Sequence, residues 1–145
     1  YNVRSTELNA VIGREQLKKL DQNNQKRIEN CSTFYENLDP KKYWTKFDFE
    51  GCVNYAFVVV LKNPDNEMRD LLENRLQEAN VEHRRGTSGG GNQLRQPYLL
   101  NYLQEENFSN FPNVDHVHFY GYYIGNYPEL EKEKILKLVD LLNSL

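Results

Sequence analysis

Hydrophobic positions recur at helical spacing in two separate series between residues 5 and 38. Leu8, Val11, Ile12, Leu17 and Leu20 form one, and Ile28, Cys31, Phe34, Tyr35 and Leu38 form the other. Residues 21–27 between them are wholly polar. Ser5-Thr6-Glu7 offers a hydroxyl cap and a first-turn acid, and no proline appears before Pro40. The pattern predicts one long helix from Ser5 to Leu38 with two greasy ends and a wet waist. Such a helix suits a bridge between two bodies, one of them made of material not in this chain.

Beyond Pro40 the period shortens. Residues 43–49 alternate loosely and read as a strand, Gly51 turns, and Asn54 to Lys62 reads as a buried central strand rich in Val and aromatics. Pro64-Asp65 opens a helix whose apolar face is Met68, Leu71, Leu72, Leu76 and Ala79. Val81 to Arg85 is short and extended, Gly86 to Gln93 is a loop, and a short helix is expected around Pro97. Val117 to Ile124 reads as a further strand. Pro128 opens a last helix with Leu130, Ile135, Leu138, Val139 and Leu142 inward. These elements predict an α+β fold: a small sheet with helices packed on it, preceded by the bridging helix. The implied division is 1–38 for the helix segment and 39–145 for the body.

Composition narrows the function classes. Length alone allows one domain or a piece of a larger one. Ten tyrosines and seven phenylalanines argue against disorder, and no apolar run approaches a membrane span. A formal charge of −3 argues against nucleic-acid binding by bulk charge. Cys31 and Cys52 form no CxxC pair, which suits a reducing, cytoplasmic setting. The chain opens Tyr-Asn-Val-Arg with neither a methionine nor a charged-then-apolar leader, so it reads either as processed or as the back part of a longer polypeptide, and the two-ended helix favours the second.

Three constellations carry candidate chemistry. The glycine run at Gly86–Gly91 fits neither the P-loop nor the GxGxxG pattern and is by itself a connector. It is flanked by His83, Arg84 and Arg85 on one side and Asn92, Gln93, Arg95 and Gln96 on the other. Amides and guanidinium forks suit hydroxyls and phosphates, so a polar ligand pocket is a candidate here. His116 and His118 would share one face of a strand, but a zinc site needs three or four ligands, and none completes the set. The aromatic string from Phe119 to Tyr127 reads as a strand with about half its rings in the core. No catalytic triad and no nucleophile are recognisable.

The opening, Tyr1-Asn-Val-Arg-Ser-Thr-Glu-Leu-Asn-Ala-Val-Ile-Gly-Arg-Glu-Gln-Leu-Lys-Lys-Leu-Asp21, resembles the segment after the cofactor lysine in the DegT/DnrJ/EryC1/StrS family. These are fold-type-I, pyridoxal-phosphate-dependent sugar aminotransferases. The rest is similar to that family's C-terminal small domain, through Asn54–Val60, Leu71–Glu82 and Tyr127-Pro-Glu-Leu130.

The resemblance implies pyridoxal 5'-phosphate as cofactor, a nucleotide-sugar substrate, a missing N-terminal catalytic domain and a homodimer whose active sites are completed by the neighbouring subunit. It assigns Asn2 and Arg4 to the cofactor phosphate region. It borders the nucleotide-sugar pocket with Arg84, Gly91, Asn92, Arg95 and His118. It places no catalytic residue and no metal ligand in this chain. Transamination from glutamate to a keto sugar, for surface polysaccharide or related glycoconjugates, is the first activity it implies. The second is removal of a hydroxyl by a deoxysugar 3-dehydratase, in which histidine replaces the cofactor lysine. The loop Gly89-Gly-Gly-Asn-Gln-Leu-Arg-Gln-Pro97 resembles the Gly-Asn-x-x-Arg-Gln-Pro pattern of that second branch. A noncatalytic sugar- or protein-binding α+β module is the rival from another class. Such a module would bury Leu8, Val11, Ile12 and Leu17 within itself, whereas a fragment would leave them exposed or paired in a dimer.

Overall fold

The computed structural model describes residues 5–87, 91–100, 102 and 110–145. Helix α1 (Glu7–Leu17) begins as its sequence predicts, with the Thr6 hydroxyl accepting the Asn9 N–H at 3.3 Å. The expected single helix is in fact two, because α2 (Leu20–Asn37) starts anew after Lys18 and Lys19. Both lysines keep right-handed helical dihedrals, so the break is a local kink with no reversal. The chain contains no proline there, and no side chain explains the kink.

The sheet has three antiparallel strands in the order β1 (Ala56–Val60), β3 (Gly121–Gly125), β2 (His83–Arg85). Phe57 lies opposite Ile124, and Val59 opposite Tyr122, on one face. That face meets the inward residues of α2 (Cys31, Phe34, Tyr35), α3 (Asn66–Glu78; Leu72, Leu76) and α6 (Lys132–Asn143; Ile135, Val139, Leu142). Phe34 stacks on Phe57 at 4.4 Å between centroids, and the buried Tyr43 hydroxyl donates to the Leu142 carbonyl at 2.8 Å. The second apolar series of the sequence is therefore core from Cys31 to Leu38, while Ile28 at its start is 40% exposed. The first is not: α1 buries no residue, and Leu8, Val11, Ile12 and Leu17 are each at least 60% exposed.

Four expectations need correction. The strand within Asn54 to Lys62 is not central: β1 stands at one edge of the sheet, and β3 lies between it and β2. Residues 43–49 make one bridge, Tyr43 to Leu61, and no strand, because Phe47 and Phe49 turn onto the Tyr35 ring. The last helix starts at Lys132, four residues past Pro128. Most consequentially, residues 117–120 are helical: α5 spans Pro112–Tyr120 with Pro112 at its first turn, and β3 begins only at Gly121. A Cβ on Gly121 would lie 2.5 Å from the Val117 carbonyl oxygen, so a glycine is what lets helix pass directly into strand. His116 and His118 therefore do not share a face. His116 shares a hydrogen bond with the Leu61 carbonyl at 2.7 Å and stacks on Trp44, while His118 points to the glycine-flanked loop.

Candidate functional site

The loop entered at Gly86 closes onto α5 through four residues. Gly86 has φ +63, a left-handed conformation that glycine adopts without strain. Gly91 leaves no room for a side chain: a Cβ there would lie 2.6 Å from His118 Nδ1 and 2.8 Å from the Gly86 carbonyl carbon. Asn92, 2% exposed, follows at once. Its backbone N–H donates to His118 Nδ1 at 3.1 Å, and its side-chain amide donates to Asp115 at 3.2 Å. Its side-chain oxygen accepts the Leu94 N–H at 3.0 Å and so caps the short 3₁₀ turn Gln93–Arg95. Pro97 then opens the four-residue α4 (Pro97–Leu100), the short helix expected there.

Arg95 forks onto Asp115 with both arms, Nε to Oδ1 and Nη2 to Oδ2, the second at 2.7 Å. Its guanidinium also lies over the Phe119 ring, 4.9 Å from the centroid. Gln96, nearly buried, donates back to the Gly86 carbonyl at 3.4 Å. The Arg95 guanidinium, opposed by partial burial and helped by Asn92, holds the Asp115 carboxyl below its ordinary range. Burial holds the His118 imidazole below its own, with Arg95 adding to the effect and Asp115 opposing it. His118 is thus neutral at pH 7, and because Nδ1 accepts the Asn92 amide, its proton sits on Nε2.

The structure brings Gly91, Asn92, Arg95 and His118 together and leaves Arg84 apart. Arg84 is exposed on the sheet face turned away from the core, opposite Tyr123 in the strand register and loosely paired with Glu82 at 3.5 Å. It borders a groove of about 820 Å³ that also includes Tyr55, Tyr127, Lys134 and Lys137 but none of the other four residues. Arg85 lies on the core side, paired with Glu73 at 2.6 Å. Asn2 and Arg4 lie outside the described residues. Gln96, one of the amides that lead out of the glycine run, joins the cluster, as do Asp115 and Phe119, which are not among the ligand residues that the sequence points to. Asp115 stands twenty positions from Arg95, and its place follows only from α5 being a helix. Among the described residues no three His, Cys, Asp or Glu side chains gather as a metal would require. No described helix is long and apolar enough to cross a membrane.

A small antiparallel sheet with helices on its inner face, entered by a helix with a bare apolar stripe, is the architecture of the smaller domain of fold-type-I pyridoxal-phosphate enzymes. A Streptococcus pneumoniae protein assigned as a sugar aminotransferase, in its PMP form, superposes on 97% of this chain with 35% of its own (TM-score 0.82, 12% identity), a likeness of fold alone. The chain belongs to the DegT/DnrJ/EryC1/StrS aminotransferase family, whose sequence profile matches residues 1–143. GDP-4-keto-6-deoxy-D-mannose 3-dehydratase of Yersinia pseudotuberculosis is 28% identical over 98% of this chain and 36% of its own length. The Escherichia coli GDP-4-keto-6-deoxy-D-mannose-3-dehydratase with bound hydrated PLP matches in structure over 98% of this chain and 36% of its own (TM-score 0.76, 26% identity). This chain therefore spans just over a third of the relatives it matches.

Proposed function

We propose that this chain is the C-terminal part of a pyridoxal-phosphate-dependent enzyme acting on a nucleotide-linked keto sugar, and that the reaction is removal of a hydroxyl at C3. The observation that carries the choice of reaction is the 28% identity to the 3-dehydratase across 98% of the chain. The loop Gly91-Asn-Gln-Leu-Arg-Gln-Pro97, which packs on α5, keeps the pattern already associated with that branch. Amino transfer from glutamate is the second reading, favoured by the family's own description.

In this proposal residues 1–38 form the interdomain and dimer-interface segment, and 39–145 the small domain. The bare stripe of α1 supports that division, since about 60% or more of each of four large apolar side chains faces solvent. The missing N-terminal domain would cover it, in a cytoplasmic homodimer. Asn2 and Arg4 would reach the cofactor phosphate, for which an amide and a guanidinium are chemically suited donors. When bound, the cofactor supplies an electron sink. His118 would offer its Nε2–H to a sugar hydroxyl or phosphate oxygen. Arg84, whose head is exposed, would meet an anionic group of the substrate. Gly91, Asn92 and Arg95 would shape the pocket wall, with Arg95 already engaged by Asp115.

The test is the full-length polypeptide supplied with pyridoxal phosphate, a GDP-linked 4-keto-6-deoxy sugar and ¹⁵N-labelled glutamate. The proposal expects a product short of one oxygen and free of ¹⁵N. A product that keeps the C3 hydroxyl and carries ¹⁵N would establish the second reading. No turnover of any nucleotide-linked keto sugar would leave the binding-module reading standing.

A further inference from the structure

The two cysteines, which have no motif spacing, line one cavity. Cys31 is buried on the inward face of α2, and Cys52 is exposed in the segment between Tyr43 and β1. A cavity of about 450 Å³ lies between them, with Ile28, Tyr35, Phe49 and Val53 also in its wall. The side-chain amide of Asn126 contacts both α2 and the residues that follow Cys52. Its Nδ2 lies 3.4 Å from the Cys31 sulfur and 2.9 Å from the Asn54 carbonyl oxygen. The chain two residues beyond Cys52 is thus within reach of the same nitrogen as the Cys31 thiol.

We propose that Cys31 and Cys52 form a dithiol site that a low-molecular-mass disulfide such as oxidised glutathione converts to an intramolecular disulfide, tethering the segment before β1 to α2. The segment is anchored at both ends, by the Trp44 N–H on the Val60 carbonyl and by Asn126 on the Asn54 and Tyr55 carbonyls. Between them, residues 45–53 make no ladder hydrogen bond, turn at Gly51 with φ +71, and rest on α2 through the Phe47 and Phe49 rings, 5.4 and 5.0 Å from the Tyr35 ring. A disulfide requires Cα atoms within about 7 Å, so forming it requires the turn at Gly51 to close on α2.

Exposure orders the chemistry. The Cys52 thiolate attacks one sulfur of glutathione disulfide, forming a mixed disulfide and releasing one glutathione thiolate. The Cys31 thiolate then attacks the Cys52 sulfur and expels the second. Two protein thiols lose two electrons and two protons, and one glutathione disulfide leaves as two thiols. Burial pushes the Cys31 thiol above its ordinary value, so the second step is the slow one.

The experiment uses the full-length polypeptide, equilibrated undenatured with graded mixtures of reduced and oxidised glutathione, acid-quenched, alkylated and digested with trypsin. Mass spectrometry should find peptides 28–41 and 47–62 joined, increasing with oxidised glutathione and released by dithiothreitol. Cys31→Ser should leave Cys52 as the glutathione mixed disulfide, and Cys52→Ser should leave Cys31 alkylatable. The proposal is overturned if the wild type holds Cys52 as a stable mixed disulfide with Cys31 free. It is equally overturned if both cysteines stay alkylatable in the most oxidising mixture. Neither of these wild-type results depends on the variants folding, and neither depends on which sugar reaction the enzyme performs.

Discussion

Replacing Asp115 by Asn tests whether the glycine-flanked loop is held by the contacts described above. The substitution keeps the volume and one acceptor but removes the charge beneath both arms of Arg95 and one acceptor of the Asn92 amide. The pair is neither buried nor free: the Arg95 and Asp115 side chains are 29% and 24% exposed. Breaking a fully buried pair costs about 3–5 kcal/mol and an exposed one about 0–1, so about 1–3 kcal/mol is expected here. Converted to a local opening equilibrium, that is about a 5- to 150-fold faster exchange of the amides in residues 92–96. Hydrogen–deuterium exchange on the full polypeptide reads this directly, with the core peptide around Phe57 as the internal control. Unchanged protection of residues 92–96 at pH 7 would refute the view that the Arg95–Asp115 fork anchors the loop.

The same loop should loosen with acid in two stages. His118 is held below its ordinary value in the fold, so its contribution is complete above the unfolded-state value and fades as pH falls through the folded one. Asp115 is likewise depressed, and its contribution is lost at still lower pH; protection factors of residues 92–96, each rate divided by its intrinsic rate at that pH, that did not fall between pH 7 and 5 would contradict the first stage. Gly91→Ala should force His118 or the Gly86 backbone aside at a cost of about 1–3 kcal/mol, seen in the same peptide as lost protection. Ile12→Lys should leave the melting of this chain alone within about 0.5 kcal/mol, because Ile12 is exposed, yet weaken the assembly of the full polypeptide in sedimentation. An undisturbed dimer would argue against α1 as an interface.

Much of the fold is legible because α2, α3 and α6 bury one face each, and burial leaves a period in the sequence, while β1, buried on both faces, is legible as a run of Val and aromatics. The misreadings share a physical cause. Residues 117–124 are rich in aromatics and Val throughout, so composition favours a strand over all of them. Pro112 at a helix start and Gly121 at the junction carry the contrary signal, and composition masks it. That one boundary decides the histidines: on a strand they would pair, and on α5 they part to Leu61 and Asn92. The Arg95–Asp115 fork joins residues whose proximity is set by tertiary structure, which no local pattern encodes. The cluster of Gly91, Asn92, Arg95 and His118 is nonetheless legible, because amides and guanidinium groups beside a glycine run imply a shaped polar wall wherever the chain places them.

The most direct test of the central claim is the intact mass and upstream sequence of the native polypeptide. The account predicts a chain nearly three times this length, as in the relatives, with a cofactor-binding half and a histidine, in place of lysine, upstream of Tyr1. A native polypeptide of 145 residues beginning at Tyr1 would contradict it.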